Sequence, residues 1–358
     1  MKGVHPSMFG GVTFFELRTG WKGLLILIFL ILILAAGMAQ MFPSIRGSNP
    51  VTIDVPEEVG GTITISWKEQ EGASTYVLGE MKSLLEGVNI IYTGYDTEYS
   101  FDYDFDEERN YLVGTEIDGD FTLVGMTSTS GQSNPFEGMM DNPAWAGITG
   151  GRDINMIEIK GFISMEFFSW WWIIAGAFIA YMAVSTIASD FEGKRMDLIF
   201  STPISRRRYI IEKFLAMTFI SLFMVLVAIG GLISGIESIG ESNEFPADIV
   251  FMSVLGCLPV LTLFASIGIF TSVLFKKIKI GIGITLTFIF GGFFAYTFGS
   301  LSEDLSWMKS ISFMNYWDYN AVIFDGEFKI LPFIWLFIAT IIFVILSAYI
   351  FEKRDIPA

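Results

Sequence analysis

Six apolar runs limit what this chain can fold into. A hydrocarbon core about 30 Å thick needs roughly 20 helical residues to cross it. Runs at 24–42, 167–187, 214–236, 249–275, 278–298 and 331–351 are of that order. Apolar residues are 52% of the chain, and their clustering is the mark of an integral membrane protein. The first run is longer than the apolar stretch of a secretory leader, and no small-residue cleavage site follows it. It reads as a retained anchor.

Charge sets the expected orientation. With the N-terminus inside, the inner segments hold Lys2, Arg18 and Lys22, then a basic loop, then Lys276, Lys277 and Lys279, then Lys353 and Arg354. That is the bias found in short cytoplasmic loops. Acidic residues do the reverse, so the net charge of −16 belongs mostly to the outer segments and reads as a solvated face. The single Cys, Cys257, falls inside the fourth run and reads as a small apolar side chain. One Cys allows no disulfide framework, so an outer domain must fold on its own core.

That domain is expected in the insertion at 43–166, where the apolar period changes to two. Ile63, Ile65 and Trp67 share one face, with Thr62, Thr64 and Ser66 on the other. Tyr99, Phe101, Tyr103 and Phe105 alternate with Ser100, Asp102 and Asp104, and Tyr111 and Val113 continue the pattern. Gly60-Gly61, Glu71-Gly72 and Asp118-Gly119 supply turns. Short strands at this spacing predict an all-β sandwich. The order resembles a fibronectin type III module over about residues 50–130, with Trp67 on an early strand, Tyr76 on the next and Tyr111 as a corner tyrosine. Residues 131–160, rich in Gly, Asn and Pro, read as a linker.

The strongest motif lies at 187–216, IASDFEGKRMDLIFSTPISRRRYIIEKFLA. An acidic turn (Asp190, Glu192, Gly193) precedes an apolar helix-like run containing Asp197, then Thr202-Pro203-Ile204-Ser205-Arg206. Lys194, Arg195, Arg206, Arg207, Arg208 and Lys213 make it the most basic loop. Pro203 cannot extend a helix and biases Thr202 toward extended backbone. A short helix over about 191–200 is therefore expected to end there. Ser205 can cap the next helix, and Arg206 to Arg208 would sit at the membrane edge beside lipid phosphates.

The order and spacing of these residues resemble the cytoplasmic loop of type-2 ABC transporter permeases. There a Glu-Gly turn, a short helix, a Pro-(Ile/Val)-Ser-Arg step and a downstream Lys lie between the second and third spans. The family usually has Gly-Thr after the acidic residue, where this chain has Gly193-Lys194-Arg195. The resemblance implies that the 188–213 loop is a coupling helix seated in a separate ATPase, with Asp190, Glu192, Gly193, Asp197, Pro203, Ser205, Arg206 and Lys213 as the residues of that contact. It also implies a second permease copy or paralogue, and export. Residues 1–23 hold Val12, Phe14, Phe15, Leu17 and Trp21 beside Arg18 and Lys22. They read as an interfacial helix or as a tail leading into the first span, and the family's helix at this position contacts the ATPase.

Several chemistries are absent from the sequence. The six runs carry almost no ionisable side chain, whereas ion-coupled carriers keep carboxylates or His in the membrane. No catalytic constellation is evident, and the only His, His5, reads as solvated. Glu192-Gly193-Lys194-Arg195 lacks the upstream Gly and following Ser/Thr of a phosphate-binding loop. No cofactor is therefore expected in this chain, with ATP and Mg on the partner ATPase. Asp102, Asp104 and Asp106 begin a calcium-loop spacing, but Glu107 and Val113 stand where it needs Gly and Glu. A charged strand face is the better reading. No nucleic-acid partner is expected.

The sequence thus predicts an α-helical polytopic membrane protein of six transmembrane helices, with a β-sandwich outer domain between the first and second. The remaining segments are an outer loop at 299–330, with short surface helices or an aromatic belt, and a tail at 352–358. Both termini are placed in the cytoplasm and the β-domain outside the plasma membrane. The alternative is a multi-span receptor or adhesion protein with a ligand-binding ectodomain.

Overall fold

Among the described residues, six helices are long and apolar enough to cross a membrane: Gly11–Ser44, Ile159–Glu192, Arg206–Ser238, Ala247–Phe275, Ile278–Ser300 and Ile330–Lys353. The computed structural model describes residues 10–46, 51–56, 61–81, 87–102, 109–117, 120–129, 149, 152, 154–301 and 303–354. His5, Asp104, Asp106 and most of the 131–160 linker lie outside the described residues.

Helix α1 (Gly11–Arg46) is continuous over 36 residues, about 54 Å at 1.5 Å per residue. Residues 11–23 thus run into the first apolar run as one helix and do not form a separate helix. No Pro interrupts the helix before Pro43.

The insertion follows as β1 (Thr52–Asp54), β2 (Thr62–Ser66), β3 (Tyr76–Met81), β4 (Asn89–Gly94), β5 (Glu98–Asp102), β6 (Asn110–Ile117) and β7 (Asp120–Ser128). They form two antiparallel sheets, ordered β1-β2-β5 and β4-β3-β6-β7. Ile63, Ile65, Trp67, Tyr76, Leu78, Tyr111 and Val113 fill one core, as the period-two pattern requires. Trp67 lies just past the end of β2, against Tyr76 at 5.8 Å between ring centroids.

The second span is assembled from α2 (Ile159–Ile163), a π-helical turn (Ser164–Phe168) and α3 (Ser169–Glu192). After the short α4 (Met196–Phe200) comes α5 (Arg206–Ser238), the third span. Helices α3 and α5 overrun the predicted apolar runs, so the 188–213 loop shrinks to residues 193–205 between them. The fourth span is broken into α6 (Ala247–Leu255) and α7 (Leu258–Phe275). Pro259 cannot donate to the Leu255 carbonyl, and the chain turns at Gly256 and Cys257.

Helix α8 (Ile278–Leu301) is the fifth span and α11 (Ile330–Lys353) the sixth. Between them lie α9 (Trp307–Ile311) and α10 (Tyr319–Asp325), so the outer segment holds short helices. Trp317 and Tyr319 are buried there and do not form an interfacial belt. Tyr319 stacks on Phe168 at 4.9 Å, and burial raises its pKa above the usual tyrosine value. Arg152 pairs with Asp318 and Asp325, tying the linker to this segment.

Glycine permits close contacts between helices. Helices α1 and α5 run parallel, and a Cβ on Gly231 or Gly235 would lie 2.9 Å from Ala35 Cβ or 2.8 Å from Ala39 Cβ. Gly176, Gly281 and Gly292 meet Phe264, Val184 and Phe313 in the same way, whereas Gly230, Gly283 and Gly291 have no neighbour within 4 Å.

Candidate functional site at the loop between α3 and α5

The loop starts with a tight exit from α3. Gly193 and Arg195 donate backbone hydrogen bonds to the carbonyls of Ser189 and Asp190, both at 2.9 Å. A Cβ on Gly193 would lie 2.9 Å from the Ser189 oxygen, so a side chain there forces the turn open. The left-handed residue is Lys194, with φ 51°. The expected helix over 191–200 is therefore split: α3 runs through Glu192, and α4 begins only at Met196.

Helix α4 is pinned at both ends of the loop by apolar burial. Met196 and Ile204 face inward, while Leu198 on the outer side is 74% exposed. Asp197 and Pro203 share that exposed edge. The hydroxyls of Ser201 and Thr202 donate to the carbonyls of Leu198 and Ile199, closing the helix before Pro203. Ser205 caps α5, its Oγ accepting from Arg208 N at 3.3 Å.

Behind the loop lies a buried ionic cluster. Lys213, 3% exposed, donates to Glu16, to Asp190 Oδ2 at 3.0 Å and to the Thr186 carbonyl at 2.7 Å. Asp190 also accepts from the Tyr209 hydroxyl at 2.7 Å and pairs with Arg195 at 3.1 Å. A buried charge is tolerated only when paired and hydrogen-bonded, and Lys213 and Asp190 each have several partners. Glu192 Oε1 accepts from Ile278 N at 3.0 Å, capping the N-terminus of α8.

Arg206, Arg207 and Arg208 each have a protein partner. Arg206 donates to the carbonyls of Glu352 and Arg354 at 3.1 and 2.6 Å. Arg207 pairs with the Glu352 carboxylate, and Arg208 with Glu212. The last carbonyls of a helix lack partners within it, and a guanidinium supplies them. Phe351 of α11 packs among Phe191, Phe200 and Tyr209, so the loop rests on the end of the last span. Arg354 donates to the Leu274 carbonyl at the end of α7, and burial lowers its pKa.

A cavity of about 390 Å³ opens between the start of α1 and this loop. Phe14, Phe15, Leu198 and Ile199 give it apolar walls, and Glu16, Asp190 and Lys213 line its polar side. Among the described residues, no group of three or more His, Cys, Asp or Glu side chains is placed to hold a metal ion.

The structure brings Asp190, Gly193, Ser205, Arg206 and Lys213 into this framework. Glu192 turns aside to cap α8, while Asp197 and Pro203 sit on the exposed edge. Sequence reasoning missed Glu16, Tyr209, Glu212 and Phe351. Glu212 had one local signal, a carboxylate four residues after Arg208 on a helix face.

A family profile described as ABC-2 family transporter protein matches residues 14–356. The chain is also similar to "Uncharacterized protein YhcI" of Bacillus subtilis (strain 168), at 25% identity over 207 residues. That match covers 51% of this chain and 65% of the relative's length.

Proposed function

Because this chain belongs to the ABC-2 transporter family, we propose that it is the membrane-spanning permease subunit of an ATP-driven exporter. Its stroke comes from a separate ATPase, through the loop between α3 and α5. The observation that carries this reading is the 74% exposure of Leu198 on a loop where Met196 and Ile204 are buried and Ile199 and Phe200 are half-buried. An apolar side chain presented on a firmly held projection fits a groove in a partner. The basic residues near the ends of α1, α7 and α11 favour the loop side as the cytoplasmic face, with the β-sandwich outside. Two such chains would enclose the path. The partner ATPase would hold ATP and Mg, since this chain has no phosphate-binding loop.

The test is affinity purification of the tagged chain from its native membrane, wild type beside Leu198→Asp. An ABC ATPase recovered in near-equal amount with wild type, and reduced at least tenfold with the variant, is expected. A wild-type partner set without any ATPase, under conditions that preserve complexes, overturns the reading.

A further inference from the structure

Val12 and Glu212 are 200 residues apart in sequence, yet the first turn of α1 depends on α5 for its hydrogen bonds. The leading N–H groups of a helix have no partner within it. Here Glu212 Oε2 accepts from Val12 N at 2.8 Å and Thr13 N at 3.4 Å. The Glu212 carbonyl accepts from Thr13 Oγ1 at 2.9 Å. The carboxylate is fully buried, and its other oxygen is held by Arg208 Nε at 2.6 Å. The next residue, Lys213, reaches Glu16 one turn further along α1. Two consecutive residues of α5 therefore grip two consecutive turns of α1, and Lys213 grips the end of α3 through Asp190 as well.

The other end of the same helix pair is closed differently. Gly231 and Gly235 admit Ala35 and Ala39 at near-backbone distance. Helices α1 and α5 are thus fastened near both ends, by buried polar groups at the loop and by small residues farther along.

We propose that Glu212 and Lys213 clamp the first span to the third, so that a displacement of the loop between α3 and α5 carries α1 with it. This rests on the coupling reading of that loop. The moving body then includes a span that does not flank the loop in sequence. Glu212 is its positioning residue. Glutamine at 212 keeps a carbonyl acceptor for the Val12 and Thr13 amides, and leucine removes it.

The test uses the full chain with its copurified ATPase, spin-labelled at exposed positions. One pair is Phe15→Cys with Ile211→Cys, across the clamp. The other is Phe15→Cys with Tyr349→Cys, between α1 and α11. Cys257 is fully buried and does not compete for label. The 15–211 distance is expected to stay narrow and unchanged on adding a non-hydrolysable ATP analogue. It should broaden with Glu212→Leu and narrow again with Glu212→Gln. The 15–349 distance is expected to shift with nucleotide in wild type and Glu212→Gln, and by less than half as much in Glu212→Leu. A 15–211 distance that changes with nucleotide in wild type, or that ignores Glu212→Leu, overturns the clamp. If no pair responds to nucleotide with the ATPase bound, the coupling reading falls and the carried motion with it. The 15–211 distance still decides the clamp in that case, because Glu212→Leu acts without nucleotide.

Discussion

Phe351 stacks on Tyr209, with ring centroids 5.5 Å apart and planes 18° apart. One ring ends the last span and the other begins the third. Phe351 is fully buried, so truncation removes a large apolar contact from the junction of α3, α5 and α11. Phe351→Ala is expected to cost about 3–5 kcal/mol, as for other buried Phe truncations. Phe351→Leu fills most of the volume and is expected to cost less than half of that. Melting temperatures of the two variants in one detergent check the order.

The contact between α1 and α5 makes a second prediction. A Cβ on Gly235 would lie 3.0 Å from Ala36 Cα and 3.1 Å from its carbonyl oxygen, and backbone atoms cannot swing away. A Cβ on Gly230, on the same helix, would meet no other part of the protein within 4 Å. Gly235→Leu is therefore expected to separate the helices and lower the yield of monodisperse protein severalfold. Gly230→Leu should leave it near wild type. Fluorescence-detected size exclusion reads both, and equal behaviour of the two would remove the packing argument.

The spans and the sandwich were legible because each rests on a local pattern: long apolar runs in one case, and alternation such as Ile63, Ile65, Trp67 in the other. Helix ends were not. Helix α5 begins at Arg206, eight residues before the apolar run, because Ser205 caps it, Arg208 pairs with Glu212 four residues on, and Arg206 and Arg207 are held by the distant end of α11. Glu16 and Lys213 are 197 residues apart, and no window contains both. The motif named Asp190 and Lys213 among the residues of a partner contact, without a sign that the two pair with each other. It gave no hint that Arg206 would close the end of α11, because that acceptor is a backbone carbonyl with no sequence signature. Pro259 carried a readable signal for the break in the fourth span, but its apolar surroundings masked it.

The proposed coupling role gives Arg206 and Pro203 separable tests. Arg206 holds the Glu352 and Arg354 carbonyls, while Pro203 lies exposed at the loop edge. Arg206→Ala is expected to raise hydrogen exchange across residues 350–354 and to leave the ATPase bound. Pro203→Ala should leave that exchange unchanged while altering the ATPase rate of the purified complex. Identical exchange patterns in both variants would count against the division.

Lys213 and Arg152 each hold two carboxylates, at opposite ends of the molecule. Lys213 is buried with Glu16 and Asp190, so removing its charge takes the ammonium from Glu16 and leaves Asp190 only Arg195 and Tyr209 as partners. Such a loss costs about 3–5 kcal/mol. Arg152 and its partners Asp318 and Asp325 are all partly exposed, and solvent screens the charges that remain. Burial acts to lower the Arg152 pKa, but the two carboxylates outweigh it and the net shift is upward. At that exposure the shift gives no large stability term, and pairs of this kind contribute about 0–1 kcal/mol. Lys213→Met is therefore expected to lower the melting temperature several times more than Arg152→Met. Adding Asp190→Asn should recover part of the Lys213→Met loss, because it removes one of the stranded charges. A double variant no more stable than Lys213→Met alone would show that geometry, and not the unpaired charge, sets the cost.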